Sequence, residues 1–211
     1  MRWAIALLSC TLATPLPKLV PPLTNLTVKD VHDTFGDPRS GHAHEAIDLM
    51  SPRGTPVHAV AAGTIRKLFL SKPGGNTIYQ FDESSRYCFY YAHLDRYAEG
   101  LREGGSVFAG EIIGYVGSTG DADPSTPHLH FTIFKLGPEK QWWKGTAVNP
   151  YSALVAAYQT RQLPDGMCRA DDRLLPSVQR RSTSSEGRTT NVDRLSYWHV
   201  PGASRRARAR S

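Results

Sequence analysis

Between about residues 42 and 136, short apolar runs alternate with turn-forming residues, and this spacing restricts the fold more than any other feature. A helix signal occurs only near residues 150–158. Many short strands at such intervals are typical of an antiparallel β-barrel or β-sandwich. The sequence therefore predicts an all-β protein. Its predicted strands are 57–61, 64–70, 77–81, 86–92, 112–116 and 128–134.

The first residues have the pattern of an export signal. A positive charge and a short apolar run occupy residues 1–14, which predicts export to the cell envelope or beyond. Two forms of export stay open. Cys10 follows a stretch similar to a lipoprotein processing site and could carry a lipid anchor, or an ordinary signal could be cut near Ala13.

The remaining chain divides by composition into three parts. Residues 15–30 are rich in proline, which predicts an extended linker. The folded domain is expected at residues 31–157. Residues 158–211 lose hydrophobic periodicity and end in a run of arginines, so we expect a disordered tail there, because it has too little apolar area to offset its ordering entropy.

The net charge of +6 belongs to the expected tail. Residues 158–211 hold 11 of the 25 basic and 5 of the 19 acidic residues, so residues 1–157 carry 14 of each. A neutral domain has no electrostatic attraction to nucleic acid, and we expect no nucleic-acid partner. No run approaches the roughly 18 apolar residues that a membrane-spanning helix needs.

The three cysteines lie far apart and include no C-x-x-C pair, so a metal site would not be built on thiolates. Cys88 lies between aromatic residues and is expected to be a small buried residue. A bridge from Cys88 to Cys168 stays open for an oxidising compartment.

Histidines are concentrated within the strand-like region. His128 and His130 are two residues apart in a predicted strand, and they therefore point to the same face. Imidazoles on one face can bind one metal ion. Two further clusters supply additional histidines and a carboxylate, which together predict a zinc site. The candidate ligands are His42, His44, Asp48, His93, His128 and His130.

At these residues the chain resembles the lysostaphin-type (LytM) zinc metallopeptidases, which cut peptide bonds in bacterial peptidoglycan. That family has H-x-x-x-D, then a histidine in a Y-x-H-L setting, then H-x-H. The resemblance covers about residues 33–155 and implies the duplicated-hybrid-motif fold. The matching residues are His44 to Asp48, Tyr91-Ala92-His93-Leu94 and His128-Leu129-His130.

The resemblance also implies roles for single residues. His44, Asp48 and His130 would bind one Zn²⁺, and His93 and His128 would be catalytic. The chain departs from many members at Ala46, where they have glycine, and we expect the extra methyl group to narrow the approach to the metal. His42 is a rival ligand, which the family spacing leaves on the rim of the site. Trp142 and Trp143 are expected either to wall a substrate groove or to pack on the core.

The sequence accordingly predicts an exported zinc endopeptidase that acts on peptidoglycan peptides. The main alternative is a non-catalytic relative that binds and activates another wall hydrolase; such proteins typically lack the zinc ligands that are present here. A third is a wall-binding barrel with structural zinc, where a fourth protein ligand would be expected. No oligomeric state is implied.

Overall fold

The computed structural model describes residues 15–39 and 41–162, and almost all regular structure there is β. A 3-10 turn, Val28–Asp30, precedes the strands, and one helix, α1 (Tyr151–Gln162), follows them. The strands are β1 Pro38–Arg39, β2 His42–Ala43, β3 Ile47–Met50, β4 Pro56–His58, β5 Gly63–Ser71, β6 Gly75–Asp82, β7 Tyr87–Tyr97, β8 Ser106–Val107, β9 Ile112–Val116, β10 His128–Leu136 and β11 Gly145–Val148.

The all-β, antiparallel prediction is confirmed. Nine strands form one antiparallel sheet: six follow the path β11-β10-β7-β6-β5-β8, and β3, β4 and β9 pair off this path. Strand β1 pairs separately with β2. One edge of β10 pairs with β7, while its other edge pairs first with β3 and then with β11. Strand β9 joins β4 to the far end of β7. Strands β3, β7 and β10 therefore lie side by side at the centre.

The central strands have one face on the main core and one on the outer surface. In β10, Leu129, Phe131 and Ile133 are fully buried in the core. The residues between them, among them His128 and His130, point to the other face, as the two-residue period of a strand requires. The period that placed both histidines together in the sequence is therefore present in the structure.

Residues 15–30 are not an extended linker. Leu19 and Leu23 are buried in the main core, at 4% and 0% exposure. The backbone is fixed as well, because Val20 N–H donates to Val60 and His58 N–H donates to the carbonyl of Pro22. The proline-rich composition predicts a linker, but this segment is packed against the domain.

The predicted end of the domain at residue 157 is also wrong, since α1 continues to Gln162. Tyr158 is 1% exposed, and its hydroxyl donates to the carbonyl of Leu23 at 2.9 Å. The helix therefore packs on the N-terminal segment. The predicted export signal with Cys10, the Cys168 half of a bridge, and the tail beyond residue 162 lie outside the described residues.

Cys88 is fully buried, as predicted, in a second apolar cluster with Phe81 and Leu136. Burial raises the pKa of its thiol.

Within the described part of the chain, no helix has the length and apolar character needed to cross a membrane.

Candidate metal centre

Three predicted ligands meet on the outer face of the central strands. His130 lies directly opposite Asp48 in the pairing of β10 with β3, and His44 lies four residues before Asp48. The Oδ1 atom of Asp48 is 3.1 Å from His44 Nε2 and 3.2 Å from His130 Nδ1, and these two nitrogens are 3.1 Å apart. Each residue thus directs one potential ligand atom at the same point.

The His44 ring is held by a backbone carbonyl. Its Nδ1–H donates to the carbonyl of Thr34 at 3.0 Å, and since a carbonyl only accepts, Nε2 is left as the lone-pair nitrogen. The Thr34 hydroxyl accepts from Asp48 N–H and donates to the carbonyl of Ala46. One threonine therefore supports both the histidine and the aspartate of the cluster, as outer residues of metal sites commonly do.

The carboxylate of Asp48 is ionised. Burial raises its pKa, but the neighbouring His130, His44 and His128 imidazoles outweigh burial and hold the pKa at about 2. Burial also lowers the pKa of His44, which favours the neutral ring that a metal needs. Asp48 and His44 thus both favour the protonation states in which each offers a lone pair to a metal.

These residues fit a zinc ion. Zinc binds histidine nitrogen and aspartate oxygen at about 2.0–2.2 Å in tetrahedral sites, which places neighbouring ligand atoms about 3.3 Å apart. The three separations here, 3.1, 3.1 and 3.2 Å, are close to that value. Asp48 Oδ1 is buried and has no hydrogen-bond partner in the described chain, which is costly for a carboxylate unless a cation satisfies it.

His93 reaches the same face through a bulge in β7. Tyr91 and Leu94 are both buried in the core although they are three residues apart, while Ala92 and His93 both line the outer cleft. At this point the pairing advances three residues along β7 for two along β6. The extra residue is His93, with a φ of 58°, in the left-handed region that few side chains adopt.

The ring of His93 is oriented by a neighbouring loop. Its Nδ1–H donates to the carbonyl of Thr119 at 2.8 Å. That loop approaches the β5–β6 turn so closely that a Cβ at Gly120 would lie 2.2 Å from the Pro73 carbonyl. Burial lowers the pKa of His93.

His128 has the same arrangement. Its Nδ1–H donates to the carbonyl of Thr126 at 2.8 Å, and its Nε2 is 3.7 Å from Asp48 Oδ1. The rings of His93 and His128 have centroids 5.0 Å apart, and His93 is 5.5 Å from the His130 ring. Both histidines therefore hold Nδ1 in a backbone hydrogen bond and keep Nε2 available beside the ligand cluster.

All five predicted site residues line one cleft of about 730 Å³. Its wall also includes Arg39, Tyr90 and Phe134, and its rim includes Asp121 and Asp123. The Tyr90 ring lies 5.9 Å from the His130 ring, and burial raises the pKa of its hydroxyl, so the phenol is neutral. The cleft is open to solvent.

Other predictions for this face have mixed outcomes. His42 lines the cleft but is not part of the ligand cluster. The prediction that Ala46 narrows the approach to the metal is wrong, because Ala46 is fully buried and does not line the cleft. Trp142 packs on the rings of Phe69 and Tyr79, and Trp143 is 62% exposed, so neither one walls the cleft.

Four residues of the site were not singled out in the sequence: Thr34, Arg39, Thr119 and Thr126. Three of them act through backbone carbonyls, for which a side-chain pattern gives no signal. Arg39 binds Asp48 Oδ2 at 2.9 Å, and it occurs in a turn-rich stretch where a charged residue is commonplace.

Two histidines and an aspartate thus converge in an open cleft on an antiparallel sheet, where they could hold a metal ion. Residues 42–150, just over half of the 211, match the model of peptidase family M23. The chain belongs to this family, and the predicted resemblance to lysostaphin-type peptidases is confirmed.

Relatives of known name support this assignment. The L-Ala--D-Glu endopeptidase of Bacillus subtilis (strain 168) is 32% identical over 143 residues, 64% of this chain and 42% of that protein. The peptidoglycan DD-endopeptidase ShyC of Vibrio cholerae is 31% identical over 117 residues, 56% of this chain and 25% of that protein. The match thus spans less than half of each relative's length.

Among solved structures, lysostaphin from Staphylococcus simulans superposes with a TM-score of 0.50 at 29% identity. The superposition covers 72% of this chain and 56% of that one. The sheet described above is therefore the fold of a lysostaphin-type peptidase.

Proposed function

We propose that this protein is a zinc endopeptidase that hydrolyses peptide bonds in bacterial peptidoglycan. The observation that carries the proposal is the convergence of His44 Nε2, Asp48 Oδ1 and His130 Nδ1 within 3.2 Å of one another, beside two further histidines in an open cleft. One named relative is a peptidoglycan DD-endopeptidase and another an L-Ala--D-Glu endopeptidase, which supports this substrate class.

His44, Asp48 and His130 are the proposed ligands of one zinc ion per chain. Bound there, zinc supplies Lewis-acid polarisation of the scissile carbonyl and a lowered pKa for a water molecule. A zinc ion held by three protein ligands would keep a fourth position for water or substrate, as catalytic zinc sites do.

His93 and His128 are the proposed catalytic residues. Each has its Nδ1–H committed to a carbonyl, so each can accept or donate a proton only at Nε2. One ring accepts the proton of the attacking water, and the other, protonated, stabilises the oxyanion or donates to the leaving amine. Both lie close to the proposed ligands, since the ring centroids of His93 and His130 are 5.5 Å apart and His128 Nε2 is 3.7 Å from Asp48 Oδ1.

The two named relatives are described by different bonds, L-Ala--D-Glu and DD. We therefore propose the substrate as a stem or cross-link peptide without naming the bond. We further propose that residues 1–14 direct export to the periplasm, cell envelope or medium, since the substrate is there. Lipidation of Cys10 remains one form of that proposal.

Peptide release from purified peptidoglycan tests the activity. Full-length protein is incubated with sacculi, with a chelator, and with a chelator followed by zinc, and soluble fragments are analysed by mass spectrometry. Release that stops on chelation and returns with zinc is expected, and the fragment masses identify the bond.

Substitutions distinguish the proposed peptidase from a non-catalytic regulator of other wall hydrolases. His93→Ala and His128→Ala should abolish release, while His32→Ala, at an exposed histidine outside the cleft, should release peptides at the wild-type rate. Zinc binding without any release by the wild-type protein would contradict the proposal and favour a regulator of other hydrolases.

A further inference from the structure

We propose that Arg39 is a positioning residue of the metal centre, which binds one oxygen of Asp48 and keeps the other directed at the histidines. This inference rests on the zinc site proposed above. Arg39 Nη2 lies 2.9 Å from Asp48 Oδ2, and a charge-assisted hydrogen bond of this length is among the stronger ones in proteins.

The two oxygens of Asp48 have different surroundings. Oδ2 accepts from Arg39, while Oδ1 is buried without a hydrogen bond and lies between His44 Nε2 and His130 Nδ1. A carboxylate can rotate about its Cβ–Cγ bond and could otherwise turn either oxygen, or both, towards a metal. The guanidinium contact therefore defines which oxygen acts as the single ligand atom.

Arg39 is held in place by the segment that carries a ligand. It lies on β1, paired with His42 of β2, and the chain runs directly from β2 into His44. His44 N–H donates to the carbonyl of Asp37 at 2.9 Å, which closes the hairpin at its base. Displacement of this hairpin would thus move Arg39 and His44 together.

The contact between Arg39 and Asp48 is better suited to orienting the carboxylate than to stabilising the fold. The Arg39 side chain is 44% exposed, and ion pairs of such exposed groups contribute little to the free energy of unfolding. A planar guanidinium, however, fixes the direction of a carboxylate better than an ammonium does. Loss of an outer partner of a metal ligand commonly weakens metal binding about 10- to 100-fold.

The test measures zinc affinity by competition with a chromophoric chelator, together with the melting temperature of the metal-free protein. Arg39→Gln is expected to weaken zinc binding about 10- to 100-fold, and its metal-free melting temperature should remain that of the wild type. Arg39→Lys keeps the charge without the planar donor group, so its zinc affinity should lie between those of the wild type and Arg39→Gln. Arg96→Gln is the matched control, since Arg96 pairs with Asp95 at 3.0 Å, is 59% exposed and lies outside the cleft.

Zinc affinity of Arg39→Gln within twofold of the wild type would overturn the proposal. An equal loss of zinc affinity in Arg96→Gln would also overturn it, and so would a lower metal-free melting temperature of Arg39→Gln. Either result would indicate a general effect on the fold. The assay needs no substrate. If the wild type binds zinc but releases no peptides, the proposed enzyme activity fails while the role of Arg39 is still decided by affinity.

Discussion

The Nδ1 atom of His93 lies 2.8 Å from the carbonyl oxygen of Thr119, and this contact requires the left-handed backbone of His93. A residue at ordinary strand angles would continue the alternation of β7 and point towards the core, on the side of Tyr91. The bulge therefore places a histidine in the cleft at the cost of backbone strain. Strained residues commonly occur at functional sites.

The strain at His93 predicts an unusual order of stabilities. His93→Gly and His93→Ala both remove the imidazole, but glycine adopts a φ of 58° without steric cost. We expect the glycine variant to be the more stable of the two by about 1 kcal/mol, measured by urea unfolding. At the neighbouring Ala92 the order should be reversed, since Ala92→Gly should cost about 0.5–1 kcal/mol. A less stable His93→Gly would show that the bulge is not strained.

The two histidines of β10 should differ in their effect on metal binding. His130→Ala removes a proposed ligand atom, so zinc should no longer raise its melting temperature. His128→Ala keeps the cluster and should respond as the wild type does. Zinc at about 100 times its Kd adds about 2.7 kcal/mol, which corresponds to a rise of about 5–10 °C for a protein of this size. A response retained in His130→Ala and lost in His128→Ala would reverse the assignment.

A buried hydroxyl makes a separate contribution to stability. Tyr91 is fully buried; its hydroxyl donates to Gln80 Oε1 at 2.8 Å and accepts from Val60 N–H at 3.0 Å. Tyr91→Phe leaves both groups without a partner, and we expect a loss of about 2–3 kcal/mol in the free energy of unfolding. Zinc affinity should not change, because the ring itself is kept. A loss below about 0.5 kcal/mol would mean that water replaces the hydroxyl.

The packing of the N-terminal segment predicts that it stabilises the domain. Leu23 is 0% exposed, and Leu23→Ala should cost about 2–5 kcal/mol, as deletions in a core do. Lys18→Ala, in the same segment but exposed, should be neutral. If both variants unfold at the wild-type urea concentration, the segment does not pack in solution and the linker reading is restored.

Strand positions were predictable where apolar residues formed a run bounded by turns. β9 was predicted residue for residue at 112–116, and β10 extends only two residues beyond its predicted end. β3 and β11 were not predicted as separate strands, because each has only four residues. Runs that short carry too little periodicity to be recognised.

The site could be predicted where the functional group is a side chain that occurs at the spacing of the family motifs. His44, Asp48, His93, His128 and His130 all meet in one cleft. Strand alternation explains why His128 and His130 share a face, but it would have put His93 on the core side. A bulge depends on the pairing of two strands, and a local pattern in one strand does not contain that information.

The packed N-terminal segment was missed for a related reason. Prolines between polar residues are typical of linkers, and local composition favours that reading. Leu19 and Leu23 are buried because β4 and α1 provide a surface far away in the sequence. The packing of this segment therefore depends on tertiary contacts, which local composition does not indicate.

The direct pairing of His130 with Asp48 links the chemistry of this protein to its folding. These two proposed ligands are about eighty positions apart in the chain and meet only when β3 pairs with β10. Contacts of such high sequence separation generally form slowly. A partly folded chain therefore has no complete zinc site. During refolding, zinc affinity would therefore appear only when β3 pairs with β10, and a newly synthesised molecule would become able to bind the ion only after these strands have paired.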